Sequence, residues 1–99
     1  MRILHVAEPE AWAARTDVYV NADLEAEGFI HCSTEKQLAG VVDAFYKGRT
    51  GLILLTIDQT ALGETLIYED LDDMGEEFPH VYGPIPVGAV VETRSFSAL

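Results

Sequence analysis

Three histidines stand in short apolar stretches of this sequence, and they are the side chains best suited to proton-transfer chemistry. They occur in "LHVA" (His5), "GFIHCST" (His31) and "FPHVYG" (His80). Imidazole titrates near neutral pH, so a histidine can accept or donate a proton there. Side chains alternate across a strand, so His31 shares a face with Ser33, and His80 shares one with Tyr82. For each histidine taken alone, a half-buried structural role stays open beside the chemical one.

Two hydroxyls, Ser33 and Thr34, follow His31 at a predicted strand-to-helix corner. One of them suits the helix cap, where it satisfies a backbone N–H that has no partner within the first turn. The other is then free to face a ligand, and a helix N-terminus can bind an anion without net positive charge. A plain cap and the edge of a ligand site are both consistent with this corner.

The sequence predicts no metal site. The histidines come from distant segments, without the His-x-His or His-x₃-His spacing that would bring two ligands together. The acidic run at 69–77 lacks the glycine placement and ligand spacing of an EF-hand, and we predict a solvated loop there. One cysteine, Cys32, excludes an internal disulfide and any multi-cysteine site. Cys32 points away from His31 along the strand, and we expect it in the core.

Charge limits the partners of this chain. Seventeen acidic residues oppose six basic ones, for a formal net charge of −11. Such a chain repels phosphate backbones and anionic lipid, so we expect it to bind neither nucleic acid nor membranes. A small anionic ligand at a helix N-terminus remains possible. No apolar run reaches membrane-spanning length, and the N-terminus lacks a signal-peptide layout, so we expect a cytoplasmic monomer.

The pattern of apolar residues predicts one α+β domain over residues 1–99, with a largely antiparallel sheet and two main helices. The first helix, near "EAWAAR", has Trp12 as its core anchor. The second has a core-facing stripe of Leu38, Val41, Val42 and Phe45, a capping box of Thr34 with Gln37, and Gly48 at its end. Strands are predicted near 2–7, 29–33, 52–57, 65–70 and 88–96, and the apolar 52–57 suits a central position. The pattern of residues 17–28 is ambiguous, and a brief strand at 18–20 is one interpretation of it.

Three segments, "EGFIHCSTEKQL", "LILLTID" and "FPHVYGPIPVGAVV", resemble the bacterial domain of unknown function 952 family over nearly the whole chain. That family resembles, in fold, the ADP-ribosyltransferase-like catalytic domain, which is a split antiparallel sheet that binds NAD in a central cleft. The resemblance implies this fold, with NAD as a substrate rather than a resident cofactor.

The resemblance also implies roles for individual residues. His5 would hold a ribose, and His31, Ser33 and Thr34 would lie near the nicotinamide. A glutamate would stabilise positive charge on the ribose; by position Glu69 is the best match, with Glu92 behind it. The expected glutamate signature is absent from this sequence, and His80 and Tyr82 occupy that neighbourhood instead.

The residues described above, together with the family resemblance, predict a pocket for a small anionic or nucleotide-like ligand. Its catalytic residues would be His31, His80 and Glu69, and its ligand-binding residues His5, Ser33, Thr34 and Tyr82. The function expected is that of a divergent ADP-ribosyltransferase-like protein. The alternative is a non-catalytic ligand-binding or protein-interaction module with structural histidines.

Overall fold

The computed structural model describes residues 1–73 and 75–98. The strands are β1 (Arg2–Ala7), β2 (Val18–Tyr19), β3 (Ile30–His31), β4 (Leu52–Asp58), β5 (Leu66–Glu69), β6 (Phe78–Val81), β7 (Ile85–Pro86) and β8 (Val90–Phe96). The helices are α1 (Pro9–Ala13), α2 (Ala22–Glu27) and α3 (Leu38–Val41), which continues as a π-helix over Val42–Tyr46. Short 3₁₀ helices span Gln59–Thr65 and Val87–Ala89.

Among the described residues the strands form three antiparallel sheets, in the orders β1-β4-β8, β3-β6-β5 and β2-β7. The prediction of an α+β fold with a largely antiparallel sheet is confirmed. As predicted, β4 is the central strand of its sheet, with Leu52, Leu54, Leu55 and Ile57 all buried. Strand β1 lies beside it and contributes Ile3 to the main core.

The sheet β3-β6-β5 has two chemically different faces. On one face Ile30 lies opposite Val81, and both are fully buried in the core. On the other face His31, His80 and Ile67 lie side by side across the three strands. A bridge at Leu4 and Ser33 joins this sheet to β1, with N–H···O distances of 2.7 and 2.8 Å. The core beneath this sheet therefore sets the position of its histidines.

The described helices are three rather than the two predicted. Residues 17–28, whose pattern was ambiguous, contain α2. Asn21 caps this helix, since its side chain accepts a hydrogen bond from the backbone N–H of Leu24 at 3.0 Å. Gly28 ends it with φ 88°, a left-handed conformation that a glycine adopts without steric cost. The turn at Gly28 directs the chain into β3.

The predicted core stripe of the last helix is wrong at Phe45, which is 75% exposed. The helix changes to π geometry from Val42, and i→i+5 hydrogen bonding shifts the side chains that follow relative to an α-helix. Tyr46 consequently packs with Leu38 against the second core cluster. Thr34 and Gln37 form the predicted reciprocal hydrogen bonds, each accepting from the other's backbone N–H at 3.3 and 3.0 Å, but they close the turn before the helix, because α3 begins at Leu38 with Gln37 itself at its N-cap.

Other sequence predictions have simple outcomes. Trp12 packs against the core while remaining partly exposed. Of the acidic run at 69–77, residues 71–73 and 75–77 are exposed and without strand or helix, as predicted. Glu69 is instead the last residue of β5 and only partly exposed, and Met74 lies outside the described residues. No described helix has the length and hydropathy that a membrane span requires.

Candidate functional site

One face of the sheet β3-β6-β5 brings together His31, His80, Glu69 and Tyr82, four of the residues predicted from the sequence, around Phe29. We call these five residues the histidine face. Its histidines are direct partners in the antiparallel register of β3 and β6. Glu69, on β5, reaches His80 from the diagonal position, because its own partner in the register is Phe78. The alternation of side chains predicted from the sequence thus places both histidines on one side.

Phe29 is the buried centre of the histidine face. Its ring centroid lies 4.7 Å from that of His31, 4.3 Å from that of His80 and 5.2 Å from that of Tyr82. The two imidazole centroids are 5.4 Å apart. Aromatic rings at these separations prefer particular relative orientations, and their contacts contribute stability beyond the burial of apolar area. The two histidines are therefore held close together by packing around one phenylalanine.

Glu69 fixes the hydrogen bonding of His80. Its Oε1 lies 2.9 Å from Nδ1 of His80 and also accepts a hydrogen bond from the hydroxyl of Tyr82. A carboxylate can only accept, so Nδ1 carries the hydrogen and Nε2 presents its lone pair. The hydrogen bonds from Tyr82 and His80 lower the pKa of Glu69. Glu69 also raises the pKa of Tyr82, so at neutral pH the phenol stays protonated and the carboxylate ionised.

His31 has a carboxylate partner too, but in a more open setting. Its Nε2 lies 3.0 Å from Oε2 of Glu27, and each of the two side chains is 48% exposed. Asp23, one helical turn before Glu27, offers a further oxygen, and one donor atom from each of the three residues lies within 4.8 Å of the others. This group was not predicted, although its members are spaced four residues apart in the sequence. The signal that could have found it is a helix over 22–27 that ends just before β3, because such a helix places Asp23 and Glu27 on one face beside His31.

His5 lies in the interior of the fold, where it is 4% exposed. Its Nδ1 donates to the backbone carbonyl of His31 at 2.6 Å, so Nε2 accepts from the hydroxyl of Tyr19 at 2.7 Å. Burial lowers the pKa of His5 to about 4, against a smaller opposing effect of the bond to His31. With this lowered pKa His5 is neutral at physiological pH, and both its ring nitrogens are satisfied by internal partners.

Ser33 and Thr34 are not part of the histidine face. The hydroxyl of Thr34 accepts a hydrogen bond from the backbone N–H of Gln37 in the turn before α3, and the backbone of Ser33 pairs with Leu4 while its side chain is buried. Thr34 therefore stabilises the turn at this corner. Cys32 is in the core as predicted, and burial raises the pKa of its thiol to about 12.

Two open depressions lie elsewhere on the described part of the surface. One, of about 230 Å³, lies between α1 and β8, where Trp12, Arg15 and Glu92 line it. The other, of about 510 Å³, lies beside the π-helix at Val42 and Asp43. Neither borders the histidine face, so the predicted pocket is not one of them. Glu92, on β8, stands in a different sheet from His80.

Comparison with known proteins identifies the family. The chain is similar to protein CC0527 from Caulobacter crescentus, with 28% identity in both its crystal and its solution NMR structure. The crystal structure has a TM-score of 0.87, with 96% of this chain and 85% of that one covered. The NMR structure has a TM-score of 0.82, with 97% and 84% covered. No curated protein matches the chain. The family model described as "Protein of unknown function (DUF952)" matches residues 6–93, and the chain therefore belongs to this family.

Proposed function

We propose that the histidine face is an acid–base site for a nucleotide-like substrate, and that this protein is a divergent ADP-ribosyltransferase-like enzyme that cleaves NAD. The observation that carries the proposal is the hydrogen bond between Glu69 and Nδ1 of His80. A histidine held in one tautomer by a carboxylate, beside a second histidine, is an arrangement suited to general acid–base catalysis. The split antiparallel sheets and the sequence resemblance support the choice of substrate class.

His80 is the general base in this proposal. Its Nδ1 donates to Glu69, so its Nε2 is the atom that accepts a proton. Glu69 acts through His80 and is primarily a positioning residue. Its ionised state also favours positive charge that develops nearby during the reaction, as electrostatic catalysis requires. Tyr82 donates to the same carboxylate and keeps it in place.

His31 is the second acid–base group. Its ring lies beside that of His80, and its side chain is the more exposed of the two. Tyr82, 39% exposed, offers a further aromatic surface in contact with Phe29. A planar heterocycle stacks favourably on exposed aromatic rings of this kind. These rings give a substrate a place to bind without a deep cavity.

The charges around the histidine face select the part of the substrate that binds there. Glu69 belongs to it and Glu27 borders it, whereas no described lysine or arginine forms a hydrogen bond or ion pair with any of its residues. The backbone N–H of Thr34, at the corner where a helix N-terminus is predicted, donates to the side chain of Gln37. We therefore place the cationic nicotinamide ring of NAD at this face, with the phosphates directed away.

The proposed reaction is hydrolysis of the bond between C1′ of the ribose and N1 of nicotinamide. Nicotinamide leaves with the bonding electron pair and becomes neutral, while positive charge develops on the ribose. Water then attacks C1′ and transfers a proton to Nε2 of His80, so the products are nicotinamide, ADP-ribose and one proton. Another nucleophile in place of water would give transfer instead of hydrolysis.

The rival function is a binding module without turnover. The internal hydrogen bonds of His5 favour it, because they leave that histidine no free nitrogen for proton transfer. Titration with NAD, ADP-ribose and inorganic phosphate, followed through the backbone amides, separates the two. Enzyme and binding module alike predict saturable NAD-dependent shifts at 29–36 and 78–84. Only the enzyme releases nicotinamide, which chromatography of the reaction mixture measures directly.

The decisive variants are Glu69→Gln and a matched control, Glu92→Gln. Each removes one negative charge, but Glu92 lies on β8, away from His80. We expect nicotinamide release to fall by about 100-fold in Glu69→Gln, within the range that a positioned acid–base group contributes, and to be unchanged in Glu92→Gln. Equal activity in the two variants would refute the role of this site. NAD binding without release would establish the binding module.

A further inference from the structure

A second site is formed by Asp23, Glu27 and His31, at the outer edge of the histidine face. Asp23 and Glu27 lie one turn apart on α2, and His31 follows on β3. One carboxylate oxygen from each acid and one nitrogen of His31 lie within 4.8 Å of one another, and the site faces solvent. We infer that these three side chains bind one divalent transition-metal ion, with zinc as the ion that fits best.

The donor set is the first argument for zinc. Two carboxylates and one imidazole are ligand types that zinc accepts, and three protein ligands leave one position open for water. Calcium and magnesium prefer oxygen ligands alone, so the imidazole argues against them. Donor atoms around one zinc ion lie roughly 3–3.5 Å apart, given bond lengths of about 2.0–2.2 Å. Small rotations of these exposed side chains close the remaining distance.

The placement of His31 is the second argument, because its pairing in β3 and its contact with Phe29 position it in addition to its hydrogen bond to Glu27. The left-handed turn at Gly28 brings the chain from α2 into β3, so that His31 faces back towards the helix. Phe29 then contacts the imidazole at 4.7 Å between centroids. The surrounding fold thus presents a ring nitrogen to two carboxylates, which is more than a chance concentration of surface charge.

Metal binding changes one hydrogen bond. Nε2 of His31 now lies 3.0 Å from Oε2 of Glu27, so its hydrogen is shared with that carboxylate. A bound ion replaces this hydrogen, and the neutral ring then carries its hydrogen on Nδ1. The ring is consequently a ligand in the zinc-loaded protein and a proton-transfer group only in the metal-free one. The inference does not depend on the proposed NAD chemistry, because His80 and Glu69 are not ligands.

Calorimetric titration of the metal-free protein with zinc chloride, at about physiological ionic strength to screen diffuse attraction, tests this inference. We expect one zinc ion per chain. Loss of an outer-sphere partner alone typically weakens metal binding by 10–100-fold, so Glu27→Gln and His31→Gln should each weaken it by at least about tenfold. The matched control is Glu25→Gln, which removes the same charge from the exposed side of α2 and should retain wild-type affinity.

The net charge of −11 makes non-specific cation binding the competing explanation. Equal losses in Glu25→Gln and Glu27→Gln, or no saturable zinc binding, would overturn the inference. Paramagnetic Mn²⁺ provides a second readout by broadening the amide resonances nearest to it. Broadening centred on 23–31 supports the site, whereas broadening centred on the acidic loop at 70–77 refutes it. His80→Gln should keep its zinc affinity while losing NAD cleavage, which separates the two proposals.

Discussion

Replacing Tyr19 by phenylalanine should destabilise the protein far more than a single lost hydroxyl usually does. Tyr19 is fully buried, and its hydroxyl donates to Nε2 of His5, which is itself buried. The other nitrogen of that ring is already bonded to the carbonyl of His31. In Tyr19→Phe the ring of residue 19 keeps its place between Trp12 and His5, but Nε2 loses its only donor among the described residues.

The size of the effect follows from desolvation. A buried acceptor left without a partner costs about 1–3 kcal/mol, whereas a hydrogen bond exchanged for one with water costs much less. For a chain of this length, 1 kcal/mol corresponds to roughly 4–8 °C in melting temperature. A loss near the middle of the range therefore lowers the melting temperature by roughly 8–16 °C.

Tyr68→Phe is the matched control. Its hydroxyl donates to Gln59 at 2.6 Å on the protein surface, so water can replace the lost contact. We expect a change within about 0.5 kcal/mol, as at most exposed positions. Urea denaturation followed by circular dichroism gives both free energies of unfolding, and equal slopes against urea would show that the same surface is exposed. The internal role assigned to His5 would be refuted if Tyr19→Phe cost no more than Tyr68→Phe.

Two further predictions concern stability. The pKa of His5 is lowered from 6.5 to about 4, so the unfolded chain binds its proton more tightly than the folded one. This contribution, about 3 kcal/mol from the size of the shift, is complete above pH 6.5 and is lost as the pH falls from 6.5 to 4. Melting temperatures across that range should fall less steeply in His5→Gln, and parallel curves would contradict the assignment. Leu55→Ala should lower the free energy of unfolding by about 2–5 kcal/mol, because Leu55 is fully buried in β4. Phe45→Ser should change it by no more than about 0.5 kcal/mol, because Phe45 is exposed. Urea denaturation measures both, and a large loss in Phe45→Ser would place that ring in the core after all.

The elements that the sequence predicted well are those whose local pattern and environment agree. "LILLTI" is apolar on both faces, and a strand of that kind requires burial on both sides, which only a central position provides. The hydrogen bonds between Thr34 and Gln37 depend on residues three apart, so their spacing is a sufficient signal. The shared face of His80 and Tyr82 follows from strand alternation alone.

Prediction failed where distant packing decides between local alternatives. The stripe ending at Phe45 has regular α-helical spacing, but the change to π geometry turns Tyr46 towards the core instead. The pattern around Asp23 and Glu27 carries few apolar residues, so a helix there depends on its cap and on Leu24 packing against the core. Such outcomes depend on contacts between segments far apart in the chain.

The acidic character of the protein follows from its composition alone. Its α+β class and the presence of histidines on strands follow from the periodicity of apolar residues, which is a local property of each segment. The sequence by itself did not determine which histidines act together. Only the tertiary structure separates His5, whose ring is enclosed by Tyr19 and the backbone of β3, from His31 and His80, which meet across two paired strands. Burial and hydrogen-bond partners decide whether an imidazole is structural or chemically available, and they arise from strand pairing between distant segments, such as the pairing of His31 with His80 across 49 residues of chain.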